Sequence, residues 1–193
     1  VIKWLRDELE LISSAKECDK LAESVENSNG AFLVPAFTGL GTPYWDMYAR
    51  GAILGLTRGV KKAHICRAAL DSIAFQVKDI ITCMIDDAGT ALSSFKVDGG
   101  ASVSDVLMQF QSDILDAAVF RPKNVETTAL GAAFLAGLAV GFWNSPEELF
   151  DCWQLDKMFT PKMSITDRNS LYKQWQKAVE RSRKWAEMEA PYV

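Results

Sequence analysis

The stretch FKVDGGASVSDVLMQFQSD, residues 95–113, places an aspartate and two glycines between a strand-like run and an amphipathic helical pattern. These residue types could do chemistry. Glycine has no Cβ, so its backbone can touch a ligand directly. The free N–H groups at a following helix start carry partial positive charge and favour an anion. Gly99 and Gly100 would supply the close approach and the Ser104 hydroxyl a further hydrogen bond, while Asp98 could hold a water of a metal–nucleotide complex or cap the turn. A seat for a nucleotide phosphate or sugar is one reading; a tight packing turn is the other. The residues alone leave both open. Asp46, in PYWD, is likewise either catalytic or a pin for its loop.

Other chemistries lack their parts. The single histidine, His64, opens a helical pattern and fits a hydrogen-bonding role there, with no sign of a Ser-His-Asp arrangement. Cys18, Cys66, Cys83 and Cys152 form no CxxC pair, and one histidine leaves a zinc site almost without ligands. No residue is therefore assigned to a metal. Scattered thiols in an acidic chain predict a reducing, cytoplasmic setting.

The elements that must position these residues follow from periodicity. Apolar residues at Ile65, Ala69, Ile73, Val77, Ile80, Ile81 and Met84 predict a long helix from His64 to about Ala88, ended by Gly89. Residues 95–97 read as a strand. Residues 102–116 read as a helix, with Ser102 and Asp105 spaced as a capping box. Residues 118–122 form a second strand stopped by Pro122, and residues 128–141 a helix rich in small residues. Ahead of this core lie two short helices within 1–27, strand pieces at 31–37 and 52–57, and a loop at 38–51 with three glycines and Pro43. Behind it come a short helix over 146–150 and a final helix over 166–188. Helix and strand alternating from 64 onward predict an α/β core with parallel strands. The organisation expected is one domain over 1–193, with 1–63 as an insertion and lead-in segment, 64–143 as the α/β core and 144–193 as a C-terminal helical segment.

Composition excludes some classes. The formal net charge is −4, so there is no basic field for nucleic acid. The longest apolar run, residues 129–143, falls short of the roughly 20 residues a membrane-spanning helix needs. The chain does not start with Met, and two core strands are few for so many apolar helices, so it reads as a fragment with further strands upstream. Exposed sheet edges and apolar helix faces predict a sticky, dimerising or partly disordered product, and a homo-oligomer is the partner expected.

Three segments carry a resemblance: VPAFTGLGTPYWDMYARGAILGLTRG (34–59), VDGGASVSDVLMQFQSDIL (97–115) and TTALGAAFLAGLAVGFW (127–143). Residues 51–71, GAILGLTRGVKKAHICRAALD, fit the second signature of the FGGY carbohydrate kinases, and the whole resembles the C-terminal part of the glycerol-phosphorylating branch of that family. The resemblance implies a ribonuclease H-like lobe of the actin/Hsp70-type ATPase fold, contributing the nucleotide side of an enzyme that uses ATP and Mg2+ to phosphorylate glycerol to glycerol 3-phosphate. It implies nucleotide contact at Gly100, with Gly99 beside it. It implies contact also at Ser104, where the family has Asn, and at Lys3, where many relatives have Gln. The family's catalytic Asp lies in a motif upstream, so no residue here inherits the general-base role, and this portion alone is expected to be inactive. The alternatives are another FGGY sugar kinase or a non-catalytic, actin-like binding or assembly module.

Overall fold

A computed structural model describes residues 1–186. They fall into two compact units: Val1–Ala91 together with the chain from Met163, and Leu92–Lys162.

The first unit contains α1 (Ile2–Asp7), α2 (Ala15–Glu23), the antiparallel pair β1 (Phe32–Val34) and β2 (Ala52–Leu54), and α3 (Lys62–Ala88). Ser14 caps α2, its side chain accepting from the Glu17 N–H. At the start of α3, His64 Nδ1 accepts from the Lys61 N–H at 2.9 Å, so the sole histidine has the local hydrogen-bonding role its position suggested. Gly89, at φ 64°, ends the helix in the left-handed conformation. The helix that follows Lys162 in sequence (Ile165–Ser182) packs on β1, and its Trp175 is fully buried, stacked on Phe75 at 5.1 Å. A buried carboxylate holds these pieces together. Asp79 on α3 accepts from Tyr44 Oη (3.0 Å), Tyr172 Oη (2.7 Å) and Trp175 Nε1 (2.9 Å). Burial raises its pKa and the three donors oppose that shift. Both tyrosine hydroxyls are pushed up, chiefly by burial, with the Asp79 charge adding to it.

The second unit is a three-stranded sheet in the order β3 (Ser94–Lys96), β4 (Ala118–Pro122), β5 (Leu155–Phe159). β3 and β4 are parallel and joined by α4 (Asp105–Leu115); β5 adds an antiparallel edge. Leu107, Phe110, Ile114 and Val119 make the core under α4. α5 (Thr127–Ala139) and a 3₁₀ turn over Pro146–Cys152 complete the unit, and the helix at Ile165–Ser182 is α6.

The predicted strand–helix–strand core over 95–122 is present. Three expectations differ. The helix predicted from Ser102 is a 3₁₀ turn over Gly100–Val103 followed by α4, and the cap of α4 is Ser104, whose oxygen accepts from the Leu107 N–H. Ser102 is buried inside the turn and Asp105 forms ion pairs, so the expected capping box does not form. The first predicted helix ends at Asp7 instead of near Ile12. β5 was not predicted: its residues are mostly exposed and do not alternate. The end of the last predicted helix, at Met188, lies outside the described residues. Among those, no helix is long and apolar enough to cross a membrane.

Candidate functional site

The glycine pair follows the C-terminal end of a parallel strand, where open α/β sheets place their ligands. Val97 N–H still bonds to the Phe120 carbonyl at 3.1 Å, after which the chain leaves the sheet. Gly99 has φ 75° and ψ 171°, a conformation essentially reserved for glycine. Its N–H donates to the Val125 carbonyl at 2.8 Å, and its own carbonyl accepts from both the N–H (3.0 Å) and the hydroxyl (2.7 Å) of Ser102. Gly99 is thus demanded by the turn.

Gly100 is not. Its φ is negative or extended, and a Cβ built on it would meet nothing within 4 Å. It is exposed, and it opens the 3₁₀ turn that leads to α4. No backbone conformation, and no neighbour among the described residues, requires glycine there. Gly41 and Gly131 are open in the same way; what sets Gly100 apart is its place in the turn beyond a parallel strand, where its bare backbone is accessible.

The other predicted residues are placed as follows. Ser104 is buried, its oxygen engaged as the α4 cap; the hydroxyl proton is left to donate. Asp98 is exposed and accepts a hydrogen bond from Thr127 Oγ1 at the start of α5. Gly99, Gly100 and Ser104 therefore share one turn in the second unit. Lys3 is exposed on α1, in the first unit. Asp46 takes the pinning role. It is buried, with Oδ1 accepting from the Tyr48 and Ala49 N–H groups at 2.9 and 3.0 Å and Oδ2 from the Lys184 N–H at 2.9 Å. Sequence reasoning passed over Arg121 and Asp79. Each is a charge inside an apolar run, AVFRP and VKDII, and that was the available signal. All four cysteines are free, Cys18 and Cys66 being buried.

Comparisons with known proteins give the family and the fold. Residues 1–140 match the model of the FGGY family of carbohydrate kinases, C-terminal domain. A glycerol kinase of Thermoanaerobacter pseudethanolicus is 59% identical over 186 residues, covering 96% of this chain and 37% of that protein. One from Aeromonas salmonicida gives the same figures. Among solved structures, Plasmodium falciparum glycerol kinase with ADP superposes with a TM-score of 0.84 at 38% identity, over 94% of this chain and 36% of the other. A xylulose kinase of Rhodospirillum rubrum, at 24% identity and a TM-score of 0.75, shares the fold. The chain spans a little over a third of the length of the curated relatives it matches.

Proposed function

The chain belongs to the FGGY family of carbohydrate kinases, and from that premise we propose that it forms the nucleotide side of an ATP-dependent glycerol kinase. In that reaction a glycerol hydroxyl oxygen attacks the γ-phosphorus of ATP and the bond from that phosphorus to the β-γ bridging oxygen breaks. Glycerol 3-phosphate and ADP leave, and the hydroxyl proton passes to a base outside this chain.

The observation that carries the reading is Gly100, a glycine that neither conformation nor packing explains, exposed at the mouth of a turn beyond a parallel strand. There it offers backbone to the nucleotide. Gly99 shapes the turn, and the Ser104 hydroxyl proton is the adjacent donor. Lys3, an exposed cation on α1 whose charge also acts on Asp7, is kept as a candidate phosphate contact on the family resemblance alone. The relatives named glycerol kinase, at 59% identity, favour glycerol over the pentoses of the more distant structural neighbours. Mg2+ would neutralise the β- and γ-phosphate oxygens when bound. Among the described residues no group of three or more His, Cys, Asp or Glu side chains could hold a metal, so the ion is assigned to the nucleotide. The reading includes the cytoplasm, where ATP and free thiols coexist. It includes a homo-oligomer, supported by α5, an apolar helix none of whose residues is buried.

The test is ATP-dependent phosphorylation by the complete polypeptide containing this chain, with glycerol, xylulose and gluconate offered in parallel. Turnover of glycerol is expected. Turnover of a sugar in its place would overturn the substrate, and absence of turnover on all three would overturn the kinase assignment.

A further inference from the structure

The turn that begins at Gly100 is held from beneath by one side chain. Arg121, on β4, donates from one terminal nitrogen to the Ser102 carbonyl (2.9 Å), the Val103 carbonyl (3.1 Å) and Asp105 Oδ1 (2.9 Å). Its Nε donates to Asp156 Oδ2 at 2.8 Å, and the guanidinium lies 5.3 Å from the Phe159 ring centre. The side chain is only 11% exposed. The pairing of β4 with β5 shifts register between Arg121 and Pro122, an irregularity of the kind that re-aims a side chain. The Ser102 and Val103 carbonyls close a 3₁₀ turn that α4 does not continue, so they have no helical acceptor role to fall back on. At the other end of the turn, Gly99 N–H is bonded to the Val125 carbonyl and Thr127 to Asp98. Both ends are tied, and Gly100 stands between them with nothing against it.

We infer that Arg121 is a positioning residue for nucleotide binding, a guanidinium clamp that fixes the Gly100–Val103 turn before the nucleotide arrives. This rests on the assignment of that turn to the nucleotide. A turn already ordered loses little freedom when a ligand settles on it, so the clamp lowers the cost of binding and leaves the chemical step alone. The geometry asks for arginine in particular. One edge of its planar fork reaches two carbonyls and Asp105 while Nε meets Asp156; a lysine ammonium is a point charge that can keep a carboxylate but cannot span all four acceptors.

The complete polypeptide would be compared as wild type, Arg121→Lys and Gly100→Trp, by ADP titration, steady-state kinetics and amide hydrogen exchange. For Arg121→Lys, ADP affinity is expected to fall about tenfold and KM for ATP to rise in step, the scale of a small misplacement of a binding group. Both kcat at saturating ATP and KM for glycerol stay within about twofold. Exchange at residues 100–104 quickens while amides of α6 hold their protection. Unchanged ADP affinity in Arg121→Lys, with Gly100→Trp unable to bind, would overturn the clamp and leave the nucleotide site standing. Normal ADP binding by Gly100→Trp would overturn the site itself and the clamp's purpose with it. If Arg121→Lys lowered kcat and raised both KM values together, with protection lost in α6 as well, the residue would be a general stabiliser and the inference would fail.

Discussion

Gly55 and Gly100 are glycine for opposite reasons, and substitution separates them. A Cβ at Gly55 would sit 2.0 Å from the Gly30 carbonyl oxygen, at φ +77°. Gly55→Ala is expected to cost about 2 kcal/mol or more in urea unfolding, since backbone must move and the conformation is one alanine resists. Gly100→Ala is expected to change stability by less than about 0.5 kcal/mol, the usual range for an open surface position. Asp71 makes a prediction in pH. It is buried, and although Arg67 Nε lies 2.8 Å away, burial prevails and raises its pKa from 3.8 to about 6. The folded state thus holds the proton more tightly than the unfolded state. Its contribution is complete below about pH 4, declines as pH rises through about 6, and is flat beyond, a change of about 3 kcal/mol for a two-unit shift. Unfolding free energies of wild type and Asp71→Asn, measured from pH 4 to 7, are expected to differ by that slope; parallel curves would show that Asp71 titrates as an exposed carboxylate does.

Between elements, the contacts that matter most are polar and were the hardest to read from the sequence. Asp79 joins α3, α6 and the loop at Tyr44 through three hydrogen bonds. Asp79→Ala would take the shared acceptor from three donors, the Trp175 N–H among them fully buried, and is expected to cost about 3 kcal/mol in chemical denaturation, because unsatisfied buried groups cost about 1–3 kcal/mol each. Ser104 caps α4, so Ser104→Ala should cost about 1 kcal/mol, whereas Ser104→Asn keeps a capping oxygen and adds an amide. Thermal melting distinguishes these two, and ADP titration of Ser104→Asn is expected to show affinity equal to or above that of serine. Helix α3 and its glycine stop were legible from apolar residues at helical spacing, but the face they marked is only partly the buried one: Ala69 and Ile81 lie in the core, while Ile80 and Met84 are exposed. The β3–α4–β4 unit was legible for the same reason. The 3₁₀ turn was not, since Ser102 and Ser104 are both capping residues by type, and the bonds that accompany the observed choice, from Arg121 to the Ser102 and Val103 carbonyls, come from a strand 18 or more positions on. β5 escaped because an exposed edge strand has no alternation to display. Asp79 escaped because its partners lie 35, 93 and 96 positions away.

In the whole molecule, Gly99, Gly100 and Ser104 belong to the unit of Leu92–Lys162, and Lys3 to the other. α5 presents an apolar surface with no buried residue, and the chain spans 37% of the length of a relative it matches. The family was legible from short segments, while the reason for each glycine was not; only the backbone separates the Gly99 that the turn requires from the Gly100 that it does not. The most direct measurement is calorimetric titration of ADP into the complete polypeptide, as wild type, Gly100→Ala and Gly100→Trp, with melting temperatures recorded alongside. All three are expected to melt alike, with affinity reduced in Gly100→Ala and abolished in Gly100→Trp, where an indole fills the space kept for the nucleotide. Equal ADP affinity in all three would contradict the account and make the glycine pair a packing turn alone.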